Sequence, residues 1–154
     1  MDLNSRLTRL ASQLDANQLN QLSADEWLLL TEDELALQLT RTGTSTSTST
    51  STSTSTSMVL ACCPDDLELD TRWMPLLLSY NGLLTTTGGV VMGLTSNQRL
   101  LMQLPVTIAD DEALASVTHN FLQLVREWQQ RLMQPCQTAT PARHSMTMIS
   151  AIKG

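Results

Sequence analysis

Few residues in this 154-residue chain have the types and spacing that chemistry requires. Nucleophilic or acid–base catalysis needs a His, a Cys or a carboxylate pair gathered in a pocket. His119 stands two residues after Val117, about 200° further round a helix, which places it on the polar side of an apolar stripe. His144 lies in an aperiodic stretch. Cys62 and Cys63 are adjacent, so on a strand they point to opposite faces, and no His or Cys has C-x-x-C or H-x-x-x-H spacing. Cys136 stands apart, and an odd, unpatterned set of cysteines fits a reducing compartment. Of the acidic clusters, Glu32-Asp33-Glu34 reads as a solvated turn and Asp110-Asp111-Glu112 as charge that complements the dipole at a helix start. Gly88-Gly89 is followed by neither a helix nor a lysine and makes no phosphate loop. The expectation is a protein that is not an enzyme, with no catalytic residue, no cofactor and no metal.

Composition narrows the partners. There are 15 acidic residues against 9 basic ones, for a net charge of −6. The only lysine is Lys153. No surface with that balance forms the electrostatic footprint of a nucleic-acid binder. Aromatic residues are 3% of the chain, too few for base stacking or an aromatic-lined pocket, so leucine must build the core. Polar residues break every apolar run of MDLNSRLTRLASQLD, and no stretch approaches 18 apolar residues. Neither a signal peptide nor membrane insertion is expected, and the expected localisation is cytoplasmic.

The elements that must position any site follow from periodicity. Leu3, Leu7, Leu10 and Leu14 share one helical stripe, with Asp2 as cap, so a helix is expected over about 3–14. Residues 15–25 form a polar connector in which 18–22 make at most a short strand. An apolar run at 27–30, a turn at 31–34 and alternating Leu35, Leu37 and Leu39 read as a hairpin, and 58–63 as a third strand. Asp70 or Thr71 opens a second helix in which Trp73, Met74, Leu77 and Leu78 face one way and Asn81-Gly82 supplies a left-handed stop. Residues 90–94 and 100–104 flank Ser96-Asn97-Gln98 as a second hairpin that Pro105 closes. Leu114, Val117, Phe121, Leu124, Val125, Trp128 and Leu132 define a long last helix. The order α-β-β-β-α-β-β-α implies an α+β fold, helices packed on a mainly antiparallel twisted sheet.

Two stretches stand outside that scheme. Residues 44–57 are seven Thr-Ser dipeptides, and hydrophobic periodicity lapses from Pro135. The expected organisation is one domain over 1–134, interrupted by the tract at 44–57, and a loosely ordered tail over 135–154 whose Met146, Met148, Ile149 and Ile152 are free to dock on the body or a partner. Extended, the tract would put threonines on one face and serines on the other. A two-stranded ribbon without apolar side chains is marginal, though, and no Gly, Asn or Pro marks a turn within it. A flexible, dispensable loop is expected.

Several strands are apolar on both faces while the helices cover only one. Val91, Met92, Leu101 and Met102 therefore need a cover, either a second copy of the chain or an extended partner peptide.

The stretch LLLSYNGLLTTTGGVVMGLTSNQRLLMQLPV and the acidic-start helix after it resemble the class I chaperones of type III secretion, the CesT/Tir chaperone family. The likeness runs from Met1 to about Leu132 in size, acidity and element order. The opening MDLNSRLTRL, and REWQQRLMQPC at 126–136, are most similar to ExsC-type regulatory chaperones. The resemblance implies an ATP-independent homodimer with Leu77, Leu78, Val91 and Met92 at its two-fold interface. It further implies apolar patches, with Leu101 and Met102 as candidates, that hold the N-terminal segment of a secreted protein in extended form. ExsC-type members also sequester an antiactivator and so couple export to transcription of secretion genes. Competition between two partners for one apolar surface suits such a switch, because the difference in their affinities sets its state. An effector-dedicated chaperone with no regulatory role, and a small dimeric adaptor unrelated to secretion, are the alternatives.

Overall fold

Helix α1 (Leu3–Gln13) begins where the Asp2 carboxylate accepts the Ser5 backbone N–H at 3.1 Å, as a helix cap should. Leu7 and Leu10 are buried, with Leu3 and Leu14 packed at the margin of the core. The structure, a computed structural model, describes residues 2–47, 53–66, 68–108 and 110–133. Four strands follow α1: β1 (Gln18–Gln21), β2 (Glu26–Leu30), β3 (Ala36–Ser47) and β4 (Ser53–Cys62). A 3-10 turn, Thr71–Trp73, leads into α2 (Met74–Asn81); β5 (Val91–Leu94) and β6 (Leu100–Ile108) make the second hairpin, and α3 (Asp111–Met133) comes last. The strands form one six-stranded sheet in the order β1-β2-β3-β4-β6-β5, every pairing antiparallel.

The α+β class agrees with the sequence, but the element order gains a strand. Four strands, not three, separate α1 from α2, because the polar segment Gln18–Gln21 pairs with β2 at the sheet edge. Its side chains stay mostly exposed, so no hydrophobic alternation announces it.

Register lines up the core. Trp27, Leu39, Leu60 and Leu104 stand opposite one another across β2, β3, β4 and β6, and Leu29, Leu37, Cys62, Met102 and Met92 form the next row. All are buried on one face. Helix α3 packs against β6 and α1 through Leu114, Thr118, Phe121, Leu122, Val125, Trp128 and Leu132. Thr118 and Leu122 thus hold the centre of the stripe, and Val117 and Leu124 pack only at its edge. The Thr118 hydroxyl donates to the Leu114 carbonyl at 2.7 Å, so it enters the core with its hydrogen bond made.

Three local expectations change. Gly82 is right-handed (φ −64); the left-handed residues come later, at Gly88 (φ 70) and Gly89 (φ 84), after a run of overlapping turns. Pro105 does not close β6, which continues to Ile108. Pairing with β5 reaches only Val91↔Gln103, so beyond it β6 has a free side that tolerates the missing N–H. Residues 44–47 and 53–57 of the Thr-Ser tract continue β3 and β4 and are not a loop, with Gly43↔Ser57, Thr44↔Thr56, Ser45↔Ser55, Thr46↔Thr54 and Ser47↔Ser53 in register; residues 48–52, on which the rest of the expected loop falls, lie outside the described residues. The ribbon is not isolated at its base: β6 flanks it as far as Thr56↔Ile108, and Thr56 is buried. The tail expected over 135–154 lies outside the described residues.

Candidate functional site

The Asn81 side chain ties helix α2 to the edge of the sheet. The Asn81 amide donates to the Met92 carbonyl at 2.7 Å, and its oxygen accepts the Met92 N–H at 2.7 Å. The amide thus stands where a neighbouring strand would be, on the otherwise open edge of β5. At the helix start the Asp70 carboxylate accepts the Arg72 N–H at 3.1 Å. Tyr80 meets Trp128 of α3 edge to face, 5.7 Å between ring centres at 86°, a geometry aromatic pairs favour.

So held, α2 buries only Leu77. Met74, Leu76 and Leu78 are exposed, Leu78 by 63%, and Leu83 and Leu84 in the turns that follow are exposed too. Five large apolar side chains within eleven residues of chain are more than a lone protomer of this size usually leaves in water.

The sheet face away from the helices is the second feature. Leu28, Gln38, Ala61, Gln103 and Val91 lie in register across it, and Leu101 sits one row on, opposite Gly93. A groove of about 560 Å³ opens at one end of this face, floored by Leu28, Ala36, Ala61, Cys63 and Leu101. Its rim carries Asp33, Glu34, Asp65, Asp66 and Arg99, and the end of α3 adds Gln129 and Met133. Arg99 is paired with Asp66 at 2.8 Å.

Glu32-Asp33-Glu34 is the exposed turn the sequence leads one to expect, and Asp33 within it is also a tether. Asp33 accepts two hydrogen bonds from the Arg126 guanidinium, which hold its carboxyl down at about 2. The bond ties the β2–β3 turn to α3. Asp111 does similar work at the other end of α3, pairing with Arg6 and Arg9 of α1, while Asp110 caps the helix by accepting the Ala113 N–H at 2.7 Å.

The structure divides the residues singled out in the sequence. Leu77, Met92 and Met102 are enclosed in the core of the single chain, each no more than 3% exposed. Leu78 is exposed, and Val91 and Leu101 are half-buried on the open sheet face. The reason is strand parity: Met92 and Met102 face each other on the helix side, and their neighbours take the opposite side. Sequence reasoning set Met74 and Leu78 on one face with Leu77, whereas both are exposed and Leu77 is buried; it missed Leu76, Leu83, Leu84 and the clamp at Asn81. A signal was present in the unbroken run Leu76-Leu77-Leu78, which is wider than one core-facing stripe needs.

Catalytic chemistry finds little to work with among the described residues. His119 is exposed and contacts Gln123 at 3.2 Å. Burial pushes the Cys62 thiol up to about 12, which leaves it protonated and unreactive. No group of three or more His, Cys, Asp or Glu residues among those described is arranged to hold a metal ion. No described helix is long and apolar enough to cross a membrane.

A family model for the Tir chaperone protein (CesT) family matches residues 36–129, from the start of β3 through most of α3. Comparison with curated proteins gave no match.

Proposed function

Because the chain belongs to the Tir chaperone protein (CesT) family, the chaperones of type III secretion, we propose that it works as a homodimer that holds the N-terminal segment of a secreted protein in extended form. The exposed leucines of α2 and the turns after it carry this proposal. They lie beside the β5 edge, where a two-fold copy would cover them, and Leu78 and Val91 are the interface residues of the expected set that a second copy can reach. Leu77 and Met92 support that surface from beneath.

The open sheet face supplies the second apolar surface, with Leu101 as its candidate contact. Two faces, one for a copy and one for an extended segment, suit a protein whose work is binding another chain. We further propose that this member is of the ExsC type, sequestering an antiactivator in the cytoplasm and releasing it when a secreted regulator takes the same surface. Exchange of this kind depends only on the difference between two affinities.

Co-expression with the N-terminal segment of a candidate secreted protein tests the function. The expected product is a co-purifying complex of two chaperone chains and one segment, and addition of the antiactivator should displace that segment. A complex that forms but resists the antiactivator would leave the chaperone role and remove the regulatory one. Failure to retain any N-terminal segment from the proteins exported by the same system would overturn both.

A further inference from the structure

Met133, the last described residue, is among those that line the groove on the open sheet face, and residues 134–154 follow directly in sequence. The two are complementary in charge. The groove rim bears four carboxylates, of which Asp33 is held by Arg126 and Asp66 by Arg99, and so stays net negative, whereas 134–154 contain Arg143 and Lys153 and no Asp or Glu. They also match in polarity, since the floor is apolar at Leu28, Ala61 and Leu101 and 146–152 carry Met146, Met148, Ile149 and Ile152. Reach is ample: the connecting residues 134–145 span up to about 40 Å when extended, so 146–152 can return to the groove from which the chain departs. A tether of that length holds a segment at an effective concentration on the order of millimolar, at which even weak complementarity is occupied.

We propose that residues 134–154 are the groove's own occupant: the 146–152 side chains rest on the Leu28 and Leu101 floor, and Arg143 and Lys153 face the carboxylate rim. Any partner that takes this part of the open face must first displace the tail, and its apparent affinity falls by the fraction of time the tail is bound. The inference concerns the chain alone and does not depend on which protein it binds.

Cys63, half-buried in the groove, reports on occupancy. Cys62 stays a thiol because burial raises its pKa to about 12. In the full chain carrying Cys136→Ser, alkylation by N-ethylmaleimide therefore reads Cys63. Adding Ile149→Asp and Ile152→Asp should speed that reaction about tenfold, the protection given by a segment bound about nine-tenths of the time. Glu34→Lys on the exposed rim should act in the same direction. Backbone amides of 146–152 should show heteronuclear NOE values near those of α3 and lose them in the Asp variants. Equal alkylation rates together with NOE values near zero in the unmodified tail would overturn the proposal. Protection that disappears on dilution would overturn it too, since the occupant would then be the tail of another copy.

Discussion

Leu78→Asp separates the fold from the proposed assembly. Leu78 is 63% exposed in the single chain, so its replacement removes little that the protomer needs. Complete burial of a leucine contributes about 1.5–3 kcal/mol, and the part still exposed accounts for about 1–2 kcal/mol of that. A two-fold interface contains the residue twice, so the dimer should lose about 2–4 kcal/mol, a rise of roughly 30- to 700-fold in dissociation constant. The carboxylates add desolvation cost in the same direction. Sedimentation equilibrium across a concentration series gives the dissociation constant directly, and circular dichroism on the same samples checks that the chain stays folded. Leu77→Asp is the contrast: Leu77 is 2% exposed, so a charge there should unfold the protomer. For the same reason a charge at Met92 tests the core and not the interface. A wild-type chain that stays monomeric throughout the series would refute the reasoning, as would a Leu78→Asp dimer of unchanged affinity.

Other expectations follow from the same contacts. Asn81→Leu strips both hydrogen bonds from Met92 and should cost about 1–3 kcal/mol, measurable by urea denaturation; an unchanged midpoint would mean that α2 is held mainly by other contacts. Asp33→Asn breaks the tether to Arg126. The folded carboxyl sits at about 2 against an ordinary value of 3.8, so the pair stabilises above about pH 4 and that contribution is lost as pH falls through 2. Both partners are about 40% exposed, which limits the loss at neutral pH to under about 1 kcal/mol; wild type and variant should converge in an acid titration, and a gap that persists at the lowest pH would contradict this. Replacing residues 46–54 by Asn-Gly closes the ribbon at Ser45↔Ser55 with a two-residue turn. Stability and partner binding should then stay within about 0.5 kcal/mol of wild type. Carrying the deletion through Thr56 should cost more, because Thr56 is buried opposite Ile108.

Where a pattern repeats over several turns or strands, the sequence read well. The capped Leu3/Leu7/Leu10 helix, the Leu35/Leu37/Leu39 alternation and the long stripe of α3 all declared themselves, because burial on one face leaves a period of 3.6 or 2. β1 did not, since an exposed edge strand has no face to mark. The Thr-Ser tract misled for a related reason. Its composition is silent about pairing, and its strands are set by the register that Leu37, Leu39, Leu60 and Cys62 impose further down the same hairpin.

The candidate surfaces divide in the same way. That this acidic, leucine-rich chain has more apolar residue than its helices can cover is determined by the sequence alone. Which of those residues remain at the surface was decided only in three dimensions. Leu77 and Leu78 are neighbours in one helix, as Val91 and Met92 are in one strand, yet each pair splits between core and surface. The dividing plane is set by where Asn81 clamps α2 to the edge of β5 and by the strand parity that turns Met92 and Met102 inward. Side chains one residue apart point to different sides of a sheet or helix, so a local run of apolar residues states how much must be covered, while only the packing partner settles which of them it covers.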